Sequence, residues 1–448
     1  MTGDEMVTRQ AFLKSSMVAG MMAACPRCAR AADAAAGIAP AKPRPKVPGM
    51  EPLSELFRIG YGPSSSHTMG PARAGEIFKS RHPDAKRFEV TLYGSLSATG
   101  RGHFTDRAVE NALGAERTKV IWSKEELPFH PNGMKFQAFD AADKELGRWT
   151  CFSIGGGALA EEGKMPTVPR PYKIDTMAEI LDWCDKNGCQ LWEYFDKIEG
   201  KEGWNHLAAV WKQMQSTIAE GLKSDGVLPG GLNLPRKAKS FYRQALKLDE
   251  MQGQTAQLAA YAYAVNEQNA SLGMVVTAPT CGSCGTLPSV LRYMQRRYKC
   301  SDEDILKALA TAGLVGNVVK QTGSISGAEA GCQAEVGTAC AMAAAAATYL
   351  MGGTPAQCEY AAQMSLEHCL GLTCDPAKGL VQIPCIERNA MAASRAMVAA
   401  EMSMLGDGKH LIPFDKIVKV MLETGHDLPS IYRETSKGGI AVHFVGGC

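Results

Sequence analysis

The chain of 448 residues is 45% hydrophobic with a formal net charge of +2, enough apolar content to bury a large core in two or three domains. No basic stripe stands out, so nucleic acid is a poor candidate partner, and no apolar run reaches the roughly 18 residues that a membrane span needs. Its 15 cysteines are odd in number and irregularly spaced, which argues against an extracellular disulfide scaffold and for reduced thiols in a cytoplasmic protein.

Residues 1–50 stand apart as a signal-like or disordered extension. Thr8-Arg-Gln-Ala-Phe-Leu-Lys14 precedes an apolar run from Met17 to Ala24, small residues follow around Ala29 to Ala34, and Pro40 to Pro48 forms a proline-rich linker. A charged start, a short apolar core and small residues follow the grammar of an export signal. The start resembles a twin-arginine signal with Gln10 where the second arginine would stand, and Ala23-Ala24-Cys25 reads as a poor lipobox. The same segment reads equally as a disordered extension of a cytoplasmic protein; the alternative is export in the folded state.

Residues 51–165 read as an α+β domain. Phe88–Tyr93, Phe136–Asp140 and Trp149–Ile154 alternate like strands, while Gly70–Arg81 and Thr105–Leu113 have helical spacing. Ser64-Ser65-Ser66-His67-Thr68 follows Gly62-Pro63 and precedes a predicted helix, where hydroxyls and backbone amides can receive a carboxylate. His67, with an ordinary pKa near 6.5, is a natural proton acceptor at neutral pH. Gly94-Ser-Leu-Ser-Ala-Thr-Gly-Arg-Gly-His103 and His130-Pro-Asn132-Gly place further polar groups among glycines, and each reads either as a ligand loop or as an ordinary turn. Arg101 reads as a solvated surface charge.

Residues 166–174 read as a linker, and from residue 175 to 448 the pattern is helical. Thr176–Asn187, Cys189–Lys197, Gly203–Lys223, Pro235–Asp249 and Gln254–Glu267 carry apolar residues at three- and four-residue steps. Met274 to Thr277 then runs into Cys281-Gly-Ser-Cys284, which taken alone is either a redox pair or half of a metal site. Ser301-Asp-Glu-Asp304 caps the helix carrying Leu306 to Val319, and Ala334–Met351 is so rich in alanine that it predicts a helix buried on every side. Cys340, Cys358 and Cys369 sit at core-like positions. Cys332, Cys374 and Cys385 lie in small, glycine-lined settings 42 and 11 positions apart, which are not the spacings of a zinc knuckle or a ferredoxin, so only the fold can bring them together.

The words around these cysteines carry a resemblance. Gly-Cys332-Gln-Ala-Glu335-Val-Gly, Thr-Cys374-Asp-Pro, Val-Gln-Ile-Pro-Cys385-Ile-Glu-Arg-Asn and, upstream, Tyr61-Gly-Pro-Ser-Ser-Ser-His67-Thr-Met-Gly-Pro-Ala-Arg73 resemble the iron-sulfur L-serine dehydratases over roughly Pro52 to Cys448. The resemblance implies a lyase that makes pyruvate from a small amino acid without pyridoxal phosphate, working as a homodimer, with the helical region as its catalytic domain. It implies a [4Fe-4S] cluster on Cys332, Cys374 and Cys385 with one open iron, and the C-terminal Cys448 as a ligand that takes that iron. It also implies His67 as the base, with Ser64, Ser65, Ser66, Thr68, His103, His130, Asn132 and Cys281 around the substrate and Cys284 as packing. Threonine deamination and cysteine desulfidation by the same chemistry, or a redox or sensor protein using the cluster for electrons, remain the alternatives.

Overall fold

The computed structural model describes residues 47–164 and 168–444. The signal-like features of residues 1–46 and the terminal Cys448 lie outside the described residues, as do positions 165–167 beside the expected linker. Strand β1 (Ile59–Tyr61) leads into one π-helical turn, Ser65–Met69, and then helix α1 (Gly70–Arg81). There follow β2 (Arg87–Leu92), α2 (Gly94–Thr99), α3 (Thr105–Leu113), β3 (Thr118–Trp122), β4 (Gly133–Phe139), β5 (Glu145–Ser153) and β6 (Leu159–Glu161). The sheet has the order β3-β2-β4-β5-β6, with β2 and β3 parallel and the other neighbours antiparallel. Alternation sends Phe88, Val90 and Leu92 of β2 to one face, where Phe78 of α1 and Val109 and Leu113 of α3 complete a core. The two predicted helices and three predicted strands are present. The glycine-rich stretch after Tyr93 differs from its expectation as a loop, because its first turn forms the short helix α2.

The rest is helical, as its periodicity predicts. Its elements are α4 (Met177–Asn187), α5 (Leu191–Lys223), α6 (Ala238–Ala245), α7 (Glu250–Asn269), β7 (Met274–Val276), α8 (Thr286–Tyr298) and α9 (Asp302–Thr322). After a short helix α10 (Gly327–Ala330) and a second π-turn, Gln333–Gly337, come α11 (Thr338–Leu350), α12 (Pro355–Glu367), α13 (Cys385–Met404), α14 (Phe414–Asp427) and α15 (Ile440–His443). The two helices expected at Cys189–Lys197 and Gly203–Lys223 are one element broken at Gly200, whose φ of 49° lies in the left-handed region that glycine tolerates. The helix expected at Pro235–Asp249 is shorter because Asp249 belongs to the next one: its carboxylate accepts from the amide of Gln252 and caps α7. Ser301 and Asp304 form the capping box that starts α9.

Helix α11 is the rod around which α8, α9, α12 and α13 pack, and every residue from Thr338 to Thr348 is buried. Leu53, Leu56 and Phe57 join this helical core, and β1 pairs antiparallel with β7, so the chain entering the sheet domain is anchored on the helices. No helix among the described residues is long and apolar enough to cross a membrane. Close crossings depend on small residues: a Cβ at Gly221 of α5 would lie 2.2 Å from the Ala264 carbonyl oxygen of α7. Gly221→Ala should therefore lower stability by about 1–3 kcal/mol, read as a drop in thermal midpoint. Gly406→Ala, where a Cβ meets nothing, is the control that should stay near the parent.

Candidate active site

The sheet domain assembles three loops around His67. In the π-turn Ser65–Met69, the Ser64 hydroxyl accepts from the His67 amide (3.2 Å) and lies 3.3 Å from the Ser66 hydroxyl. The His67 ring is held on both sides, Nδ1 at 2.8 Å from Ser66 Oγ and Nε2 at 3.1 Å from Ser95 Oγ. Its backbone carbonyl accepts from Thr105 Oγ1 at 2.6 Å. The ring of His103 lies 4.6 Å away, centroid to centroid, and donates through Nδ1 to the Thr99 carbonyl at 3.1 Å. His130 Nδ1 accepts from the amide of Asn132, whose side chain donates to the Ser153 carbonyl at 3.1 Å.

Burial sets the protonation of this group. Desolvation, then the neighbouring His103 and His130, holds the His67 imidazole well below its ordinary value against the opposing bond to Ser95. This corrects the sequence expectation of an ordinary pKa: burial favours the neutral imidazole of His67. His103 is held at about 4 by burial. Thr68 is also placed differently from expectation, because its hydroxyl accepts from the Ser64 amide (3.2 Å) and donates to the His103 carbonyl (2.8 Å), tying two loops together. Arg101 stacks on Trp122, 4.6 Å from the ring centroid, outside the histidine group.

The helical domain gathers the three cysteines. Cys332 and Cys374 are buried and Cys385, at the start of α13, is half-buried. Cys374 is pinned by a backbone pairing with 432–434: its amide donates to the Tyr432 carbonyl (2.7 Å) and its carbonyl accepts from the Glu434 amide (2.6 Å). The three thiols lie within electrostatic reach of one another, since Cys374 is raised by burial, by Glu335 and Glu434, and by Cys332 and Cys385. Cys332 is pushed up to about 11 by burial, with Arg388 pulling it down. Arg388 also donates to the Thr373 carbonyl at 2.5 Å.

Three side chains that the sequence named only as letters of a motif prove central. Glu335 is half-buried, with Oε1 accepting from Thr280 Oγ1 at 2.7 Å and Oε2 at 3.9 Å from Cys374 Sγ. Asn389 accepts from the amides of Gly285 and Thr286 and from Thr286 Oγ1, and it donates to the carbonyls of Gly282 (2.8 Å) and Cys385 (2.9 Å). Arg388 is the cation shared by the thiols. Position in the Glu335-Val-Gly and Glu-Arg-Asn words was the available signal. Cys281 is buried beside Glu335 and Cys284, and burial raises both thiols.

The two groups meet at one seam. A Cβ on Gly102, next to His103, would come 3.3 Å from the Lys378 carbonyl and 3.4 Å from that of Gly379, in the loop between Cys374 and Cys385. On the other side, the Asn269 side chain donates to the Pro63 carbonyl at 3.0 Å, docking the turn before Ser64 on α7. The chain beyond α14 returns to the same loop: the Ile440 amide donates to Asp375 (2.8 Å), and Lys378 Nζ stands 5.8 Å from the Phe444 ring. Two buried thiols and one half-buried thiol with an arginine counter-charge are a donor set suited to an iron-sulfur cluster, whose thiolate ligands need their negative charge offset. Among the described residues, no three His, Cys, Asp or Glu side chains converge closely enough to hold a single metal ion.

Histidine-selective 15N labelling at pH 6 should give neutral-imidazole signals for His67 and His103, with protonation of His103 near pH 4. A charged His67 signal at pH 6 would overturn the desolvation argument.

Comparisons with known proteins match this arrangement. Residues 131–441 match the family model described as serine dehydratase alpha chain, and residues 53–119 match that of the serine dehydratase beta chain. The chain is 39% identical over 450 residues to a Streptomyces coelicolor protein named L-serine dehydratase, covering 87% of this chain and 98% of the relative. A Haemophilus influenzae protein of the same name is 39% identical over 448 residues, with the same coverage of both chains. The Escherichia coli protein named L-serine dehydratase TdcG is 39% identical over 453 residues, covering 88% of this chain and 99% of the relative.

Proposed function

The chain belongs to the serine dehydratase family, a family of lyases, with its alpha-chain and beta-chain parts in one polypeptide, and on that premise we propose that it converts L-serine to pyruvate and ammonia. What most supports this reading is the seam at Gly102, where the loop of His103, whose ring neighbours His67, adjoins the loop between Cys374 and Cys385. A redox or sensor protein would use the thiols and leave the histidine loops without a task.

Cys332, Cys374 and Cys385 hold the [4Fe-4S] cluster in this reading, and Cys448, outside the described residues, is the further thiolate. Bound there, the cluster supplies a Lewis acid for the hydroxyl that leaves. Everything else falls to side chains. His67 takes the α-proton, and because desolvation favours its neutral form a ring nitrogen can act as acceptor. A neutral imidazole donates from one nitrogen and accepts at the other. With Ser66 on one and Ser95 on the other, the ring is held in plane in either tautomer. Ser64, Ser65 and Ser66 offer hydroxyls to the substrate carboxylate, and His103, His130 and Asn132 wall the same side. Loss of the α-proton and hydroxyl leaves an enamine, which becomes an imine and hydrolyses to pyruvate and ammonia. The scheme needs no pyridoxal phosphate.

The same reading takes the protein as a cytoplasmic homodimer. The row of exposed apolar side chains Met391, Val398, Met402 and Leu405 along α13 supports a self-associating face, and light scattering decides it.

Alanine at Cys332, Cys374 or Cys385 in anaerobically reconstituted protein should each abolish the iron-sulfur absorption together with pyruvate formation from serine. His67→Ala should keep the absorption and lose about 10² to 10⁴ in kcat. Full turnover by cluster-loaded His67→Ala would move the base to His103 or His130, and a chromophore surviving all three cysteine changes would overturn the ligand set. Serine, threonine and cysteine assayed side by side decide the leaving group.

A further inference from the structure

Away from the cluster ligands, a second thiol pair lies where α11, α12 and α13 converge. Cys340, in the first turn of α11, is fully buried and donates to the Ala392 carbonyl of α13 at 3.2 Å. Cys369, just past the end of α12, is 1% exposed and packs on the same helix face: a Cβ on Gly337, one turn before Cys340, would lie 2.9 Å from Cys369 Cβ. The two thiols lie near enough that each shifts the other's titration. From the outer face of α13, the exposed side chain of Arg395 reaches inward, placing Nη1 3.3 Å from Cys369 Sγ and 2.7 Å from the His368 carbonyl.

A guanidinium fixed on a sulfur is not a packing contact. It is the environment that stabilises a thiolate, and the thiolate is the form that reacts with oxidants. The neighbouring Cys340 thiol, acting against burial and assisted by Arg395 and His368, holds Cys369 at about 7. Cys340 is pushed well up by the same coupling and by burial. Desolvation likewise pushes up the buried thiols of Cys284 and Cys358. The pair is thus asymmetric, one ionisable sulfur beside one protonated sulfur, and the guanidinium held against the ionisable one belongs to an exposed side chain that can swing aside.

We propose that Cys369 and Cys340 form an oxidant-sensing dithiol, modified by a hydroperoxide to a disulfide that ties the end of α12 to α11. The Cys369 thiolate attacks the O–O bond and becomes a sulfenic acid, the other oxygen leaving as hydroxide, which takes up the thiol proton as water. Cys340 sulfur then attacks the sulfenic sulfur and releases the second water. Two thiols lose two electrons and two protons, and one peroxide is reduced to two waters. The bond would stiffen α11 one turn from the π-turn Gln333–Gly337, so the state of this pair is placed to act on the segment that carries Glu335.

Anaerobically prepared, cluster-loaded protein treated with one equivalent of hydrogen peroxide, quenched with N-ethylmaleimide under denaturing conditions and digested, should yield a Cys340–Cys369 cross-linked peptide. Cys340→Ser should replace it with a Cys369 sulfenic acid that dimedone traps. Arg395→Leu, at an exposed position, should keep the thermal midpoint and slow the cross-link by roughly 3- to 10-fold at neutral pH as the thiolate fraction falls, and Arg395→Lys should restore most of the rate. Oxidation confined to Cys332, Cys374 and Cys385, or a cross-link forming at an unchanged rate in Arg395→Leu, would overturn the proposal.

Discussion

The site depends on one buried carboxamide. Asn389 sits one helical turn beyond Cys385 and is fully enclosed; its oxygen takes three hydrogen bonds from Gly285 and Thr286, and its nitrogen gives two, to Gly282 and Cys385. The start of α13 and the turn Cys281–Gly285 therefore share one set of partners. An unpaired buried amide costs about 1–3 kcal/mol, so neither segment can shift without the other. The consequence reaches further, because Gly282 lets that turn approach Glu335: a Cβ there would stand 3.1 Å from Oε1. Glu335 in turn is held by Thr280 from the same turn and lies against Cys374. One amide thus fixes the relative placement of two thiols that are 11 positions apart and of a carboxyl group 50 positions before the second of them.

Charge is the second constraint, and the two halves of the site meet it in opposite ways. The histidines avoid charge: burial makes the cationic form costly, and each further imidazole nearby raises that cost. The thiol side concentrates potential anions, with three cysteines, Glu335 and Glu434 within electrostatic reach of one another, and Glu434 is pushed up to about 8 by burial and by Glu335. Such groups cannot all ionise beside one another unless cationic charge is brought in. Arg388 is the fixed cation among them, its guanidinium raised by the sulfurs of Cys332, Cys385 and Cys374 despite desolvation. A neutral imidazole on one side of the seam and an anion-rich cluster on the other is the distribution of charge that the proposed proton removal and loss of a leaving group would use.

Much of this was legible in the sequence, for identifiable reasons. Period-2 alternation found β2, β4 and β5 because each has one face on the core, whereas β3, half-exposed along its length, lacks that contrast. The alanine run found α11, since a helix buried all round needs small residues on every side. The chemical words located His67 and the three cysteines. What stayed hidden is what depends on tertiary contact. The depressed pKa of His67 requires neighbours at 103 and 130, the engagement of Thr68 requires the His103 carbonyl, and the roles of Glu335, Arg388 and Asn389 lie in partners 15 to over 100 positions away. Residue type offered no way to tell Thr68, which braces the loops, from Ser66, which touches the ring.

Backbone geometry adds a final link between the two halves. Two of the chemical words contain a single π-helical turn that runs directly into a longer helix: Ser65–Met69 into α1 and Gln333–Gly337 into α11. A π-turn carries one more residue than an α-turn, so it shifts the side-chain register relative to the helix that follows, and such turns recur at functional sites. In the first, the widened turn carries His67, with its amide bound to the Ser64 hydroxyl and its ring between Ser66 and Ser95. In the second, it carries Glu335 and follows Cys332, while Gly337 at its end leaves room for Cys369. The register of α1 is fixed by the sheet core and that of α11 by burial on all sides, so neither helix can rotate to aim a side chain. The extra residue at the start of each lets the site residues be aimed independently of the packing that holds the helices.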